Sequence, residues 1–321
     1  MLKDKTLRGA RRLVILVAGA LLFLSACGSQ RGGPVLKDIP GDRPVRSVTD
    51  DIGRQVTVPV NVKRVVSTAP SVTENIFAVG AGDRLVGVTT FCNYPEEAKS
   101  IAKIGDTMNP NMETIVGLKP DIVFVSSASQ LEAFTKTLEQ NGIAVYVTNP
   151  TSLYMLRESL DKLGTIFGTT AISDELGAQL YRRQRSISEK LGTDIQKGES
   201  PQDRAERIGE LRVFVQISRE PLFTIGQGSF LNDVIESAGG SPTTSTIPSP
   251  FPKLSKETAV ALNPDVIILS DSEDNQEPNE AFKNSPAVKN GRVYKINADI
   301  ISRPGPRLVD AIEQIAKDLH P

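Results

Sequence analysis

The chain has 321 residues, is 39% hydrophobic and 23% charged, and its 37 Lys and Arg nearly balance 38 Asp and Glu. This composition suits a soluble globular protein with length for two domains, without the basic excess of a nucleic-acid binder or an acidic tail. A single histidine, His320, argues against a histidine-rich zinc or manganese site and against a Ser-His-Asp hydrolase.

Residues 1–26 read as a lipoprotein signal peptide. Lys3, Lys5, Arg8, Arg11 and Arg12 precede an apolar run at 13–24 that is short for a membrane span. The run closes on Leu24-Ser25-Ala26-Cys27, which resembles a bacterial lipobox, whose cysteine carries lipid. The alternative is an ordinary signal peptide with an incidental cysteine. Lipid on Cys27 would hold the protein to a membrane without a transmembrane helix. Residues 27–44, rich in Gly and Pro, would then be a tether.

Residues 45–152 are expected to form a first α/β lobe. Val45–Thr49 and 55–58 alternate like strands around Asp50-Asp51-Ile52-Gly53. A strand over 65–68 leads to a helix at 72–79, capped by Ser71 or Thr73 and stopped at Gly80, and then to a strand at 85–89. Gly80-Ala81-Gly82 lacks the third glycine of a dinucleotide fingerprint. Phe91 follows that strand's carboxyl end, which in open α/β sheets faces the crevice, so it is a pocket candidate with core packing as the alternative. Cys92 reads as a free, buried thiol rather than a nucleophile.

Residues 113–127 then read Glu-Thr-Ile-Val-Gly-Leu-Lys-Pro-Asp-Ile-Val-Phe-Val-Ser-Ser. They return 144 residues later as Glu-Thr-Ala-Val-Ala-Leu-Asn-Pro-Asp-Val-Ile-Ile-Leu-Ser-Asp, with seven of fifteen positions identical. Asn111 and Ser255 can cap a short helix whose first turn holds Glu113 or Glu257. Pro120 and Pro264 end that helix, because the residue before proline avoids the helical region. The apolar run after Asp121 or Asp265 suits a strand buried on both faces. The recurrence predicts two similar lobes and a cleft between them.

A helix at 131–141 ending at Gly142 and a strand over Ala144–Thr148 complete the first lobe. Residues 153–210 are expected to connect the lobes: an amphipathic helix to Phe167, a long helix at 173–191, and a polar loop or frayed end over 192–210. Residues 211–321 form the second lobe, with strands at 212–217 and 293–296, a helix at 230–238 stopped by Gly239-Gly240, and a final helix from Arg307. The glycines of 226–228 suit a flexible loop, with an anion cradle as the alternative. Phe251 stands on a Pro-, Ser- and Thr-rich loop, and Arg303 on a loop at 301–306.

Thr49-Asp50-Asp51-Ile52-Gly53-Arg54, Pro70-Ser71-Val72-Thr73-Glu74, Tyr94-Pro95, both repeats, the 222–240 segment and Arg303-Pro304-Gly305-Pro306-Arg307 occur in that order. Over residues 45–320 they resemble the binding proteins of ABC importers for vitamin B12 and iron-siderophores, the vitamin B12 branch most over 86–121. The resemblance implies an α/β fold of two Rossmann-like lobes joined by a single long α-helix, with the ligand cleft between lobes and little hinge closure. It implies that Glu113 and Glu257 pair with arginines of the permease; the alternative is a helix-dipole role worth a few tenths of a kcal/mol. Vitamin B12 binders line the cleft with tryptophans, and this chain has none. Thr107, Ser126 and Phe251 take those positions, Phe91 replaces a tyrosine, and Arg303 matches a polar rim position suited to an amide, phosphate or carboxylate.

The implied protein is a monomeric, extracytoplasmic, lipid-anchored binder that catalyses nothing and carries no cofactor or metal of its own. It would deliver a corrinoid, or alternatively an iron-siderophore or haem, to an ABC permease dimer with its ATPase, and would not bind nucleic acid. Phe91, Phe251, Arg303, Ser126 and Ile217 are its expected ligand contacts. A ligand-sensing lipoprotein without a transport role is the reading from another class.

Overall fold

A computed structural model describes residues 43–127, 132–192 and 211–321. The signal peptide, Cys27, most of the tether and nearly all of the 192–210 loop lie outside the described residues.

The chain opens with a hairpin of β1 (Val45–Thr49) and β2 (Gln55–Pro59). Next come β3 (Val65–Ser67), α1 (Pro70–Ala78), β4 (Leu85–Val88), α2 (Met112–Gly117), β5 (Ile122–Ser126), α3 (Glu132–Gln140) and β6 (Ala144–Thr148). Helices α4 (Leu153–Phe167) and α5 (Thr170–Leu191) follow. The second half holds β7 (Arg212–Ser218), β8 (Phe223–Thr224), α6 (Leu231–Ser237), β9 (Ser241–Pro242), α7 (Lys256–Leu262) and β10 (Val266–Asp271). It closes with α8 (Pro286–Lys289), β11 (Val293–Asn297), α9 (Ala298–Ile301) and α10 (Leu308–Leu319).

The first sheet is parallel, in the order β4-β3-β5-β6. In the second, β10 and β11 run parallel to β7, and so does β9, which pairs with the start of β7. The parallel strands therefore lie β9-β7-β10-β11, the same 2-1-3-4 arrangement, with the short antiparallel β8 added beside the end of β7. The helices correspond too: α1 with α6, α2 with α7, and α3 with α8. The fold is α/β with two like lobes.

Alternation along the repeat strands explains their wholly apolar sequence. Ile122 and Phe124 of β5, and Val266 and Ile268 of β10, join one large core cluster shared by both sheets with α1, α4, α5, α6 and α10. Their neighbours face the other way. Val123 and Val125 pack with Ile115 and Leu138 of α2 and α3, and Ile267 and Leu269 pack with Ala259 and Ala287 of α7 and α8. Strands buried on both faces have no place for a polar side chain.

The two copies are also braced alike. Asp121 accepts from the backbone N–H groups of Lys63 and Arg64 at 2.8 and 2.9 Å, and Asp265 accepts from that of Arg212 at 3.1 Å. In return the Arg64 guanidinium donates to the Leu118 carbonyl and that of Arg212 to the Asn263 carbonyl. The residues before the prolines, Lys119 and Asn263, leave the helical region for left-handed φ values of 47° and 40°. Asn111 and Ser255 cap as expected, accepting from Thr114 and Thr258 backbone N–H groups.

Some local expectations shift. Helix α1 begins at Pro70, whose ring suits the first helical position, and its N-cap Ala69 makes no side-chain bond. Thr73 lies inside the helix and donates to Ser67 Oγ at 2.8 Å. Helix α5 starts at Thr170 rather than 173 and, at 22 residues, runs about 33 Å. The 226–228 turn is laced down: Gly226 and Gln227 donate to the carbonyls of Pro250 and Ile247. A Cβ at Gly226 would meet Ser249 and Ile247 carbonyl oxygens at 2.4 and 2.7 Å, so close backbone approach requires glycine there.

Candidate functional site

The described residues form one compact unit, and the carboxyl ends of the two sheets converge within it. Residues just past β3 and β4 meet residues just past β11. Glu74 and Asn75 of α1, with Asn93 and Tyr94 after β4, touch Asp299 of α9 and the Arg303–Arg307 segment.

The two aromatic candidates sit at this rim. Phe91, three residues past β4, is 57% exposed, and Phe251 is 43% exposed. The Phe251 loop is held at the carboxyl side of the second sheet, because Thr224 donates to Pro252 and Phe223 bridges to Lys253. Exposed rings, one from each lobe on an anchored loop, offer apolar surface that the fold itself leaves uncovered. Ser126 ends β5 beside Thr148, and Ile217 stands near the end of β7; both are half-buried. Thr107 is half-buried in a loop organised by Asp106, which accepts from the backbone of Met108 and Asn109. Those bonds, Asn109's foremost, hold the Asp106 carboxyl below its ordinary range.

Arg303 differs from the expected rim arginine. It is buried, and its guanidinium donates to Glu74 Oε1 at 2.8 Å, Asn93 Oδ1 at 2.7 Å and Asp299 Oδ1 at 2.5 Å. Arg307 donates to both Glu74 oxygens, at 2.6 and 2.9 Å, and lies 4.1 Å over the Tyr94 ring. Asn93 in turn donates to Asp299 Oδ2 at 2.9 Å, and Asn75 to the Pro304 carbonyl at 3.1 Å. Sequence reasoning missed this constellation. Its only signals were the Thr-Glu of 73–74 and the paired arginines of 303–307, more than two hundred residues apart.

Glu113 and Glu257 are exposed in the first turns of α2 and α7. The helices lie on the outer faces of their sheets, yet their N-termini come up to the carboxyl rim. Asn111 donates to Ile104, which donates to Val88 at the end of β4, and Leu254 donates to Leu222 beside β8. The Glu257 carboxyl is held below its usual range by its own backbone N–H and by the Ser255 hydroxyl, so it is ionised at neutral pH. Cys92 is buried, with Thr73 and Thr89 hydroxyls 3.1 and 3.2 Å from its sulfur.

A second tie crosses between the halves of the chain. Asp233 of α6 accepts from the backbone N–H of Leu153 at the start of α4, at 3.0 Å. Burial pushes its carboxyl up, and the Leu153 bond partly offsets this.

Comparison with known proteins agrees with this architecture. The chain is 31% identical over 94% of its length, and 94% of the relative's, to the uncharacterized ABC transporter substrate-binding lipoprotein YvrC of Bacillus subtilis. The crystal structure of the periplasmic vitamin B12 binding protein BtuF of Vibrio cholerae superposes with a TM-score of 0.66 at 26% identity, covering 80% of this chain and 96% of that one. A possible iron-binding periplasmic solute-binding protein from Staphylococcus epidermidis gives 0.66 at 25% identity, covering 81% of this chain and all of that one. With its residues 65–300 matched by the family's own model, the chain belongs to the periplasmic binding proteins.

Proposed function

We propose that the protein is an extracytoplasmic binder, anchored through lipid on Cys27, that captures a large scarce ligand in the inter-lobe cleft and delivers it to an ABC importer. The observation that carries this reading is the pair of exposed aromatics, Phe91 and Phe251, one on each lobe's carboxyl rim. A bulky apolar ligand covering both would hide surface that costs the folded protein free energy while open. Ser126 and Ile217 stand at the carboxyl ends of β5 and β7 and would add smaller contacts. The names of the Bacillus and Vibrio relatives support the importer class and make a corrinoid such as vitamin B12 the first ligand. Glu113 and Glu257 are the proposed docking points for a two-fold permease: equivalent carboxylates on equivalent helices, both beside the cleft rim.

An iron-siderophore or haem is the second reading. Two observations favour it: the chain has no tryptophan to stack on a corrin ring, and one structural relative is described as a possible iron-binding protein. Binding without chemistry fits the family.

Calorimetric titration of the purified protein with cyanocobalamin, a ferric hydroxamate and haem tests the proposal. Sub-micromolar binding of cobalamin alone would establish the corrinoid reading. Tight binding of only an iron chelate or haem would replace it with the second. Binding of none, by protein that melts cooperatively, would overturn all three ligand readings while leaving the family membership in place.

A further inference from the structure

We infer that Glu74 is the keystone of an inter-lobe latch that sets the width of the cleft and, through it, how long a ligand stays bound. Glu74 projects from α1 of the first lobe with its side chain 3% exposed, and both carboxylate oxygens accept from arginines of the second lobe. Glu74 and Asp299 balance Arg303 and Arg307, so the cluster carries no net charge. Removing Glu74's charge leaves two arginines gathered around a group that no longer attracts them. Buried ion pairs are expensive to break one-sidedly, because the remaining charge stays out of water.

The latch is built from the same short segments as the cleft. Phe91 and the latch residues Asn93 and Tyr94 share one four-residue stretch, and Asp299 and Arg303 lie four residues apart. A change of lobe angle that withdraws Arg303 from Asn93 must therefore move the backbone that carries Phe91. Neighbouring groups reinforce the position. Tyr94 stacks under Arg307, a contact that needs the flat guanidinium. Asn75 holds Pro304, and a Cβ at Gly305 would come within 3.2 Å of Asn75 Oδ1, so the 303–307 turn fits closely against α1. The lobes are thus pinned where a ligand would enter.

Only the ligand arm of the test rests on the proposed binding function. In the full chain carrying Cys27→Ala, Gly117→Cys and Lys256→Cys place spin labels on α2 and α7, with Cys92 buried and silent. A Cβ at Gly117 meets nothing within 4 Å, and Lys256 is exposed. Pulsed dipolar spectroscopy should give one narrow inter-lobe distance for the parent. Glu74→Gln should broaden it toward longer distances and speed dissociation of cyanocobalamin or haem, whichever binds, by about tenfold or more. If Glu74→Gln does not fold, Arg307→Lys serves: it keeps the charge but loses the paired donors and the stacking, and should shift both readouts less, in the same direction. A folded variant with an unchanged distance distribution would overturn the latch. So would an opened distribution with an unchanged off-rate. If neither probe binds the parent, the distances alone decide the latch, and the failure falls on the ligand reading.

Discussion

Truncating Phe91 to alanine tests the cleft most directly, because the ring's own exposure sets the size of the effect. A phenylalanine side chain presents roughly 200 Å². With 57% of Phe91 uncovered, a ligand that seals it removes about 115 Å² of apolar surface from water, worth about 3 kcal/mol. Phe91→Ala should therefore weaken binding by about a hundredfold. Phe251, 43% exposed, gives about 2 kcal/mol and roughly a thirtyfold loss by the same reasoning. The cost to the fold is separate: the covered part of Phe91 supplies about 2 kcal/mol at most, so the variant should melt somewhat earlier but cooperatively. Calorimetric titration with whichever of cyanocobalamin, ferric hydroxamate or haem binds the parent, beside a thermal melt, separates the two effects. Phe91→Tyr, which keeps the ring, should retain most of the affinity. A Phe91→Ala protein that binds within twofold of the parent would refute the placement of ligand against this rim.

Charge reversal at both Glu113 and Glu257 should abolish ligand-dependent stimulation of the importer's ATPase in proteoliposomes while leaving ligand affinity unchanged, since both are exposed on outer helices. Stimulation that survives reversal of both carboxylates would remove them from docking. Acid should loosen the second lobe through Asp265. Its carboxyl is held below the usual range first by the side-chain bond from Arg212, with burial opposing and the Arg212 backbone N–H adding to it. A lowered value in the folded state means stabilisation that is complete above about pH 4 and is lost as pH falls through the folded value. Asp265→Asn should cost about 1 kcal/mol at pH 7, or roughly 2–4 °C in Tm, and should flatten the acid limb of the melting profile; an unchanged acid limb would contradict the assignment.

The repeat was the most legible part of the sequence because every constraint on it is local. A cap, a proline and an apolar run act over a few residues, and the structure places Asn111, Pro120 and 122–126 where those rules put them. Phe91 was legible as a site candidate for a similar reason, since its place just past a strand end follows from topology. Arg303 was not. An arginine in a Pro- and Gly-rich loop reads the same whether its partner is a ligand, water or a carboxylate 229 residues away, and only the packed lobes decide. Thr73 was misplaced for a related reason: its hydroxyl seemed free to cap a helix, but Pro70 had already set the helix start and Ser67 took the hydroxyl.

Where the two lobes agree and where they differ separates framework from recognition. The braces recur almost residue for residue: Asp121 with Asp265, Arg64 with Arg212, left-handed Lys119 with left-handed Asn263. The rim recurs less well: Ser126 is matched by Ser270, but Thr107 stands at the position that Phe251 takes in the second lobe. Selection for ligand shape would act on the less matched rim, and a two-fold partner would read the matched helices. Matched helices serve such a partner only if the angle between the lobes is constant, because each lobe places its own glutamate but neither fixes the separation of the pair. The Glu74 cluster is built to supply that constancy, joining the lobes beside the rim with buried, mutually neutralising charges. On the proposed reading, docking and ligand retention therefore depend on the same inter-lobe contact. A latch variant should lose both together, whereas a Phe91 variant loses retention alone and a Glu113 and Glu257 variant loses docking alone.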